Sequence, residues 1–126
     1  MSLEFNIEII RPDKSIFSGK VEQVVLPCFE GQATILKDHI PLITFLRPGL
    51  IEVGQNEKFY VEDGTVEFSN NNLLILSTTV LNLKNIKSEQ INDMIKEVEK
   101  KISLNESSDK QKYILNYKIE TLKQIN

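Results

Sequence analysis

The 126-residue chain holds one histidine and one cysteine, and these are the first places to look for chemistry. His39 follows Asp38, by residue type the two halves of an acid–base pair. On an extended strand, however, neighbours point to opposite faces, so Asp38 is badly placed to assist His39. His39 is expected to be a loop-rim histidine that meets a partner or solvent. Cys28 closes the apolar run VEQVVLPC and reads as a small hydrophobe at a strand end. One histidine and one cysteine cannot build an ordinary zinc site. The sequence also lacks a Gly-rich phosphate loop, Cys-x-x-Cys and His-Glu-x-x-His. No catalytic residue, metal ligand set or cofactor site is expected.

The segment around His39 has an unusual composition. EGQATILKDHIPLITFLRPG, residues 30–49, contains two of the four prolines (Pro41, Pro48) and two of the five glycines (Gly31, Gly49). The prolines limit backbone entropy and the glycines permit tight turns. Elsewhere, Tyr113 and Tyr117 lie four apart on a predicted helix and are expected to pack rather than to cage a ligand. Lys110, Lys112, Lys118 and Lys123 read as a solvated helix face, or as a surface for an acidic partner.

The elements that must position these residues fall into two groups. All five glycines, four prolines and six phenylalanines precede residue 70, and none follows Lys84. Residues 1–83 carry 6 basic and 11 acidic side chains; residues 84–126 carry 9 and 7. We therefore divide the chain into a β domain, residues 1–84, and a helical part, residues 85–126. In the first, Phe5, Ile7 and Ile9 alternate with Glu4, Asn6 and Glu8, as in a half-buried strand. Arg11-Pro12-Asp13-Lys14 is a turn. The runs IFSGKVEQVVL, ATIL, LITFL, LIEVG, KFYVED, TVEFS, LLILS and VLNL follow. They are punctuated at Gly19, Pro48-Gly49, Gly54-Gln55-Asn56, Asp63-Gly64 and Asn70-Asn71-Asn72. Many short strands at this spacing predict a sandwich or barrel.

In the second part, Ile91, Met94, Ile95, Val98 and Ile102 make one helical stripe, with Ser88 placed to cap it. Leu104-Asn105-Glu106-Ser107-Ser108 breaks the pattern, and Ser108 with Asp109 can start a second helix. Its stripe is Leu115, Ile119, Leu122 and Ile125. The pair predicts an antiparallel helical hairpin.

The bulk numbers exclude several classes. A net charge of −3 leaves no basic footprint for nucleic acid. No apolar run approaches the ~18 residues of a membrane span. The start, MSLEFNIEII, lacks the basic region of a signal peptide and is expected to be mature sequence. A single cysteine suits a reducing compartment.

The order of these parts resembles the epsilon subunits of rotary F-type ATP synthases. That family begins with a strand, a turn and Phe-Ser-Gly before a Val-Glu-rich strand, as in IFSGKVEQVVLP. It continues with Glu-Gly, a Leu or Tyr, a His, Pro-Leu and Leu/Ile-x-Pro-Gly. Glu30-Gly31, Leu36, His39, Pro41-Leu42, Leu46 and Pro48-Gly49 stand here in that register. The resemblance implies a mainly β chain with an α appendage: a ten-stranded β-sandwich followed by a C-terminal helical hairpin. It implies no active site, and a rotor role in the central stalk that couples proton flow to ATP synthesis. The implied partners are the gamma subunit and the c ring, with the alpha and beta catalytic subunits met transiently. Membrane association is then indirect, at the cytoplasmic face of a bacterial inner membrane or its organelle-encoded equivalent.

Carried over residue by residue, the interface role falls on Glu30, Gly31, Gln32, Asp38, His39, Pro41 and Leu42. The four lysines of the last helix become the contact to beta, through which the hairpin would inhibit hydrolysis. Departures stand at Thr34 and Asp38, where the family often has Gly, and at Gln32, often acidic there. Some bacterial relatives bind ATP through an Ile-Asp-x-x-Arg-Ala-like motif entering the first helix. Here Ile86-Lys87-Ser88-Glu89-Gln90-Ile91 replaces both charged groups, so no nucleotide site is expected. A free-standing β-sandwich binding module is the alternative, although such modules favour exposed aromatics and this chain has no Trp.

Overall fold

The computed structural model describes residues 2–103 and 109–125. The Leu104–Ser108 break, the Ser108 cap and the Lys110 side chain lie outside the described residues. Ten strands come first: β1 (Phe5–Arg11), β2 (Lys14–Val21), β3 (Gln23–Cys28), β4 (Gly31–Leu36), β5 (Leu42–Leu46), β6 (Gly49–Val53), β7 (Glu57–Val61), β8 (Gly64–Ser69), β9 (Asn72–Leu76) and β10 (Leu81–Asn82). A 3-10 turn, Leu83–Asn85, leads to α1 (Ser88–Ser103) and α2 (Asp109–Ile125). By contacts the chain divides into Met1–Leu83 and Lys84–Asn126.

Alternation builds the β unit. In β1, Phe5, Ile7 and Ile9 are buried while Asn6 and Glu8 are exposed. Val66 and Phe68 of β8, and Leu73 and Ile75 of β9, point into the same core cluster. Each such side chain contributes roughly 1.5–3 kcal/mol on full burial. Edge-to-face ring pairs, Phe5–Phe68 and Phe17–Phe59, both have centroids 5.7 Å apart. The strands run β10-β7-β6-β3-β5-β8-β9-β1-β2, with β4 on β3. This sheet folds over on itself as a sandwich, so that residues from both arms share one core.

The fold turns at β3. All six of its residues pair with β4. Val24 and Val25 also pair with β6, whereas Cys28 pairs with Leu46 of β5. The adjoining strand therefore changes from β5 to β6 across Arg47-Pro48, where the Arg47 N–H donates to the Pro27 carbonyl at 2.9 Å. A strand residue sends its N–H and C=O to the same side. The missing N–H of Pro27 thus faces the changeover, where no regular ladder needs it. Gly49 comes so close that a Cβ there would lie 2.4 Å from Pro27 Cβ.

Two details depart from the sequence reading. Gly19, expected to punctuate, sits inside β2 opposite Ile7. The run IFSGKVEQVVL is two strands, bent at Glu22. The helices carry the expected stripes: Ile91 and Val98 of α1, and Leu115 and Leu122 of α2, are buried. Met94, Ile95, Ile102, Ile119 and Ile125 are half-buried beside them.

The two strand glycines should answer oppositely to one methyl group. Gly49→Ala must displace Pro27 and should lower unfolding free energy by about 1–3 kcal/mol. Gly19→Ala meets nothing nearer than 3.9 Å and should be neutral or stabilising by ~0.5–1 kcal/mol. Urea titration of both variants checks this.

Candidate partner-binding site

The EGQATILKDHIPLITFLRPG segment runs from the β3–β4 turn through β5 to the start of β6. Cys28 pairs with Gly31, so Phe29 and Glu30 form a two-residue hairpin turn. Gly31 has φ 131°, a region open mainly to glycine. The Glu30 carboxylate accepts from Thr44 Oγ1 at 2.8 and 3.1 Å. Thr44 itself is buried within β5, so this turn is tied down onto the strand.

Residues 37–41 return the chain to β5. Asp38 has φ 65°, its N–H donates to Asn71 Oδ1 at 2.7 Å, and its Oδ1 accepts from Asn71 Nδ2 at 2.9 Å. The His39 N–H donates to the Leu36 carbonyl at 3.1 Å. The His39 ring stands edge-on to Phe68, centroids 5.9 Å apart, and its Nδ1 lies 2.7 Å from the Ile40 carbonyl. Asp38 and His39 occupy a turn rather than a strand and are committed to different neighbours, so they make no acid–base pair. Leu42 is half-buried against the core, and Pro41 and Gln32 are exposed. Phe68 pairs with Leu42, two positions before Thr44. Glu30 is therefore held at the middle of β5, and His39 at Phe68, which pairs with the first residue of that strand.

The same segment has a feature that residue types alone did not reveal. Ile40, Ile43, Phe45 and Phe29 are 74, 77, 58 and 43% exposed. Ile43 and Phe45 project from the outer face of β5, and the Phe29 N–H donates to the Phe45 carbonyl at 3.1 Å. Across the ladder, Phe45 pairs with Thr65 and Thr65 with Leu76, itself 44% exposed. Ile43 likewise leads through Glu67 to Leu74. The result is an exposed apolar stripe of Phe29, Ile43 and Phe45 along β5, separated from Leu74 and Leu76 of β9 by Thr65 and Glu67 of β8. The available signal was LITFL itself: a strand apolar on both faces, whose single polar residue, Thr44, points inward.

Cys28 is buried beneath this surface. Burial, then the Glu30 carboxylate, push its thiol up, while a Thr44 hydrogen bond and Arg47 pull the other way. In the helical unit, Lys123 is exposed but Lys112 and Lys118 are half-buried, so the lysines do not form one fully solvated face. Tyr113 and Tyr117 stack edge-to-face at 4.8 Å with hydroxyls 3.0 Å apart. Among the described residues no helix is long and apolar enough to cross a membrane.

The architecture is thus a β-sandwich with exposed apolar side chains on one outer face, followed by a helical pair. Residues 4–82 match the ATP synthase delta/epsilon chain β-sandwich domain. The chain belongs to that family. It is 43% identical to the ATP synthase epsilon chain of Pelagibacter ubique, with 100% of both chains covered. Identity with the epsilon chain of Dichelobacter nodosus is 35%, over 81% of this chain and 74% of that one. The fold also matches a chain in a Euglena gracilis mitochondrial ATP synthase structure containing OSCP, F1 and the c ring. There the TM-score is 0.78 at 18% identity, covering 98% of this chain and 82% of that one.

The Cys28 environment predicts a pH dependence. An unfolded thiol ionises near ~8.5, whereas the folded one holds its proton to higher pH. The unfolded state then binds fewer protons, so stability falls as pH rises through that range. Tyr60, also pushed up by burial and then by Glu62, adds its own fall only nearer pH ~10. Between pH ~8 and ~9.5 the unfolding free energy of wild type should fall more steeply than that of Cys28→Ala. Denaturant titrations across this range read the two slopes.

Proposed function

We propose that this chain is an epsilon-type, non-catalytic rotor subunit of an F-type ATP synthase. Its β-sandwich joins the gamma subunit to the c ring, so that proton-driven rotation of the ring reaches the catalytic head. The observation that carries this reading is the exposed apolar stripe of Phe29, Ile43 and Phe45, in the same segment as Glu30 and His39. Exposed phenylalanine and isoleucine side chains in one patch are a feature of protein-binding surfaces. The stripe supplies contact area, and the anchored Glu30 turn supplies a charged rim that sets register. The complex sits at the cytoplasmic face of a bacterial inner membrane, and the chain reaches the membrane only through it.

The helical unit has a second role in this reading. Lys110, Lys112, Lys118 and Lys123 give α2 a positive field toward an acidic segment of the catalytic beta subunits. An exposed pair is worth about 0.2–1 kcal/mol and weakens as salt shortens the Debye length; of the described lysine side chains in α2, Lys123 is exposed and Lys112 and Lys118 are half-buried. Inhibition of hydrolysis by this unit should therefore be modest and salt-sensitive. Replacing the four lysines by glutamine should relieve it at low salt. Equal hydrolysis rates for the two versions would show a hairpin without this action.

Ile43→Asp with Phe45→Asp tests the interface. Both side chains are outside the core, but an aspartate at 43 faces Glu67 across the ladder, so the variant should lose about 1 kcal/mol and remain folded. In membranes carrying the variant, ATP-driven proton pumping should be lost while ATP hydrolysis persists. Undiminished pumping would place the partner contacts elsewhere.

A further inference from the structure

Asn71 joins three separate parts of the β unit. It lies in the tight turn between β8 and β9, where Asn70 and Asn71 have φ 50° and 59°. Asparagine tolerates this region because its short side chain finds local hydrogen bonds. The Asn71 carbonyl accepts from the Asn6 N–H at 2.9 Å, holding the start of β1. Its carboxamide instead reaches the β4–β5 loop, accepting from the Asp38 N–H at 2.7 Å and donating to the Asp38 carboxylate at 2.9 Å. Asp38 is itself held at φ 65°, so two left-handed residues from distant turns are locked face to face.

Beyond this clasp the loop has few other restraints. Residues 39–41 belong to no strand. His39 has the Leu36 carbonyl and the edge of Phe68; Ile40 follows at 74% exposure, and Ile43 begins the stripe three residues later. We propose that Asp38 and Asn71 are positioning residues for partner binding. Their reciprocal bonds hold the His39–Pro41 loop, and with it Ile40, in the binding conformation before the partner arrives. This inference rests on the partner-binding reading of the stripe and adds to it the residues that set the loop. Ordering the loop in advance removes an entropy cost from association.

The test uses the full chain with Asn71→Gly, which removes both side-chain bonds and relaxes the backbone at that position. Amide exchange at Asp38 and His39 should speed by about tenfold, with the strand amides and the melting temperature little changed. Affinity for a catalytic head purified with gamma but without this subunit should fall roughly tenfold, as the binding-competent fraction of the loop falls. Exchanging the pair, Asp38→Asn with Asn71→Asp, retains a donor and an acceptor on opposite sides and should restore both readings. Wild-type affinity in Asn71→Gly despite fast exchange would overturn the inference, as would unchanged exchange. Failure of the wild-type chain to bind the head would instead overturn the functional reading, and that result is read before any variant is made.

Discussion

The close approach of Gly49 to Pro27 is the constraint on which the β unit depends. β3 bears β4 along one edge, and on the other it must leave β5 and take up β6. That change is only compact if the chain after Arg47 passes directly over Pro27, and only a residue without Cβ can do so. Proline suits β3 there because its absent N–H faces the gap between ladders. With the junction set, the arm β5-β8-β9-β1-β2 folds over β3-β6-β7, and both arms fill one core. Any residue larger than glycine at 49 would push these arms apart.

The surface chemistry follows from the same junction. Because Cys28 meets Leu46, the Phe29-Glu30 turn overhangs β5, and Glu30 can reach inward to Thr44. The inner face of β5 spends its middle position on this polar anchor, leaving the isoleucine and phenylalanine outside. An inward hydroxyl paired with a carboxylate is tolerable because both partners are satisfied. Outward Ile43 and Phe45 remain largely exposed in the isolated chain, and in the proposed reading a second protein covers them. In that reading, stability and binding are divided between the two faces of one five-residue strand.

Much of this was legible in the sequence because it is local. Phe5, Ile7 and Ile9 declared their strand by alternation, and Ile91 and Val98 their helix by spacing. The segment from Glu30 to Gly49 stood out through its turn residues. What was not legible depends on pairing across long sequence distances. Gly19 looks like a turn until Ile7 is seen opposite it. Nothing near Asp38 announces Asn71, 33 residues on. The stripe was hidden because polarity assigns Thr44 to solvent and Phe45 to the core, the reverse of what Glu30 dictates.

Burial of the β5 outer face in the assembled enzyme is the central claim, and side-chain oxidation by hydroxyl radicals measures it most directly. The free chain and the chain within intact ATP synthase are exposed to the same dose and compared residue by residue. Phe29, Ile40, Ile43 and Phe45 should lose most of their reactivity on assembly, while Leu3 and Leu36, exposed but outside the stripe, should keep theirs. Protection of Leu3 and Leu36 with the stripe still reactive would contradict this account of how the subunit binds.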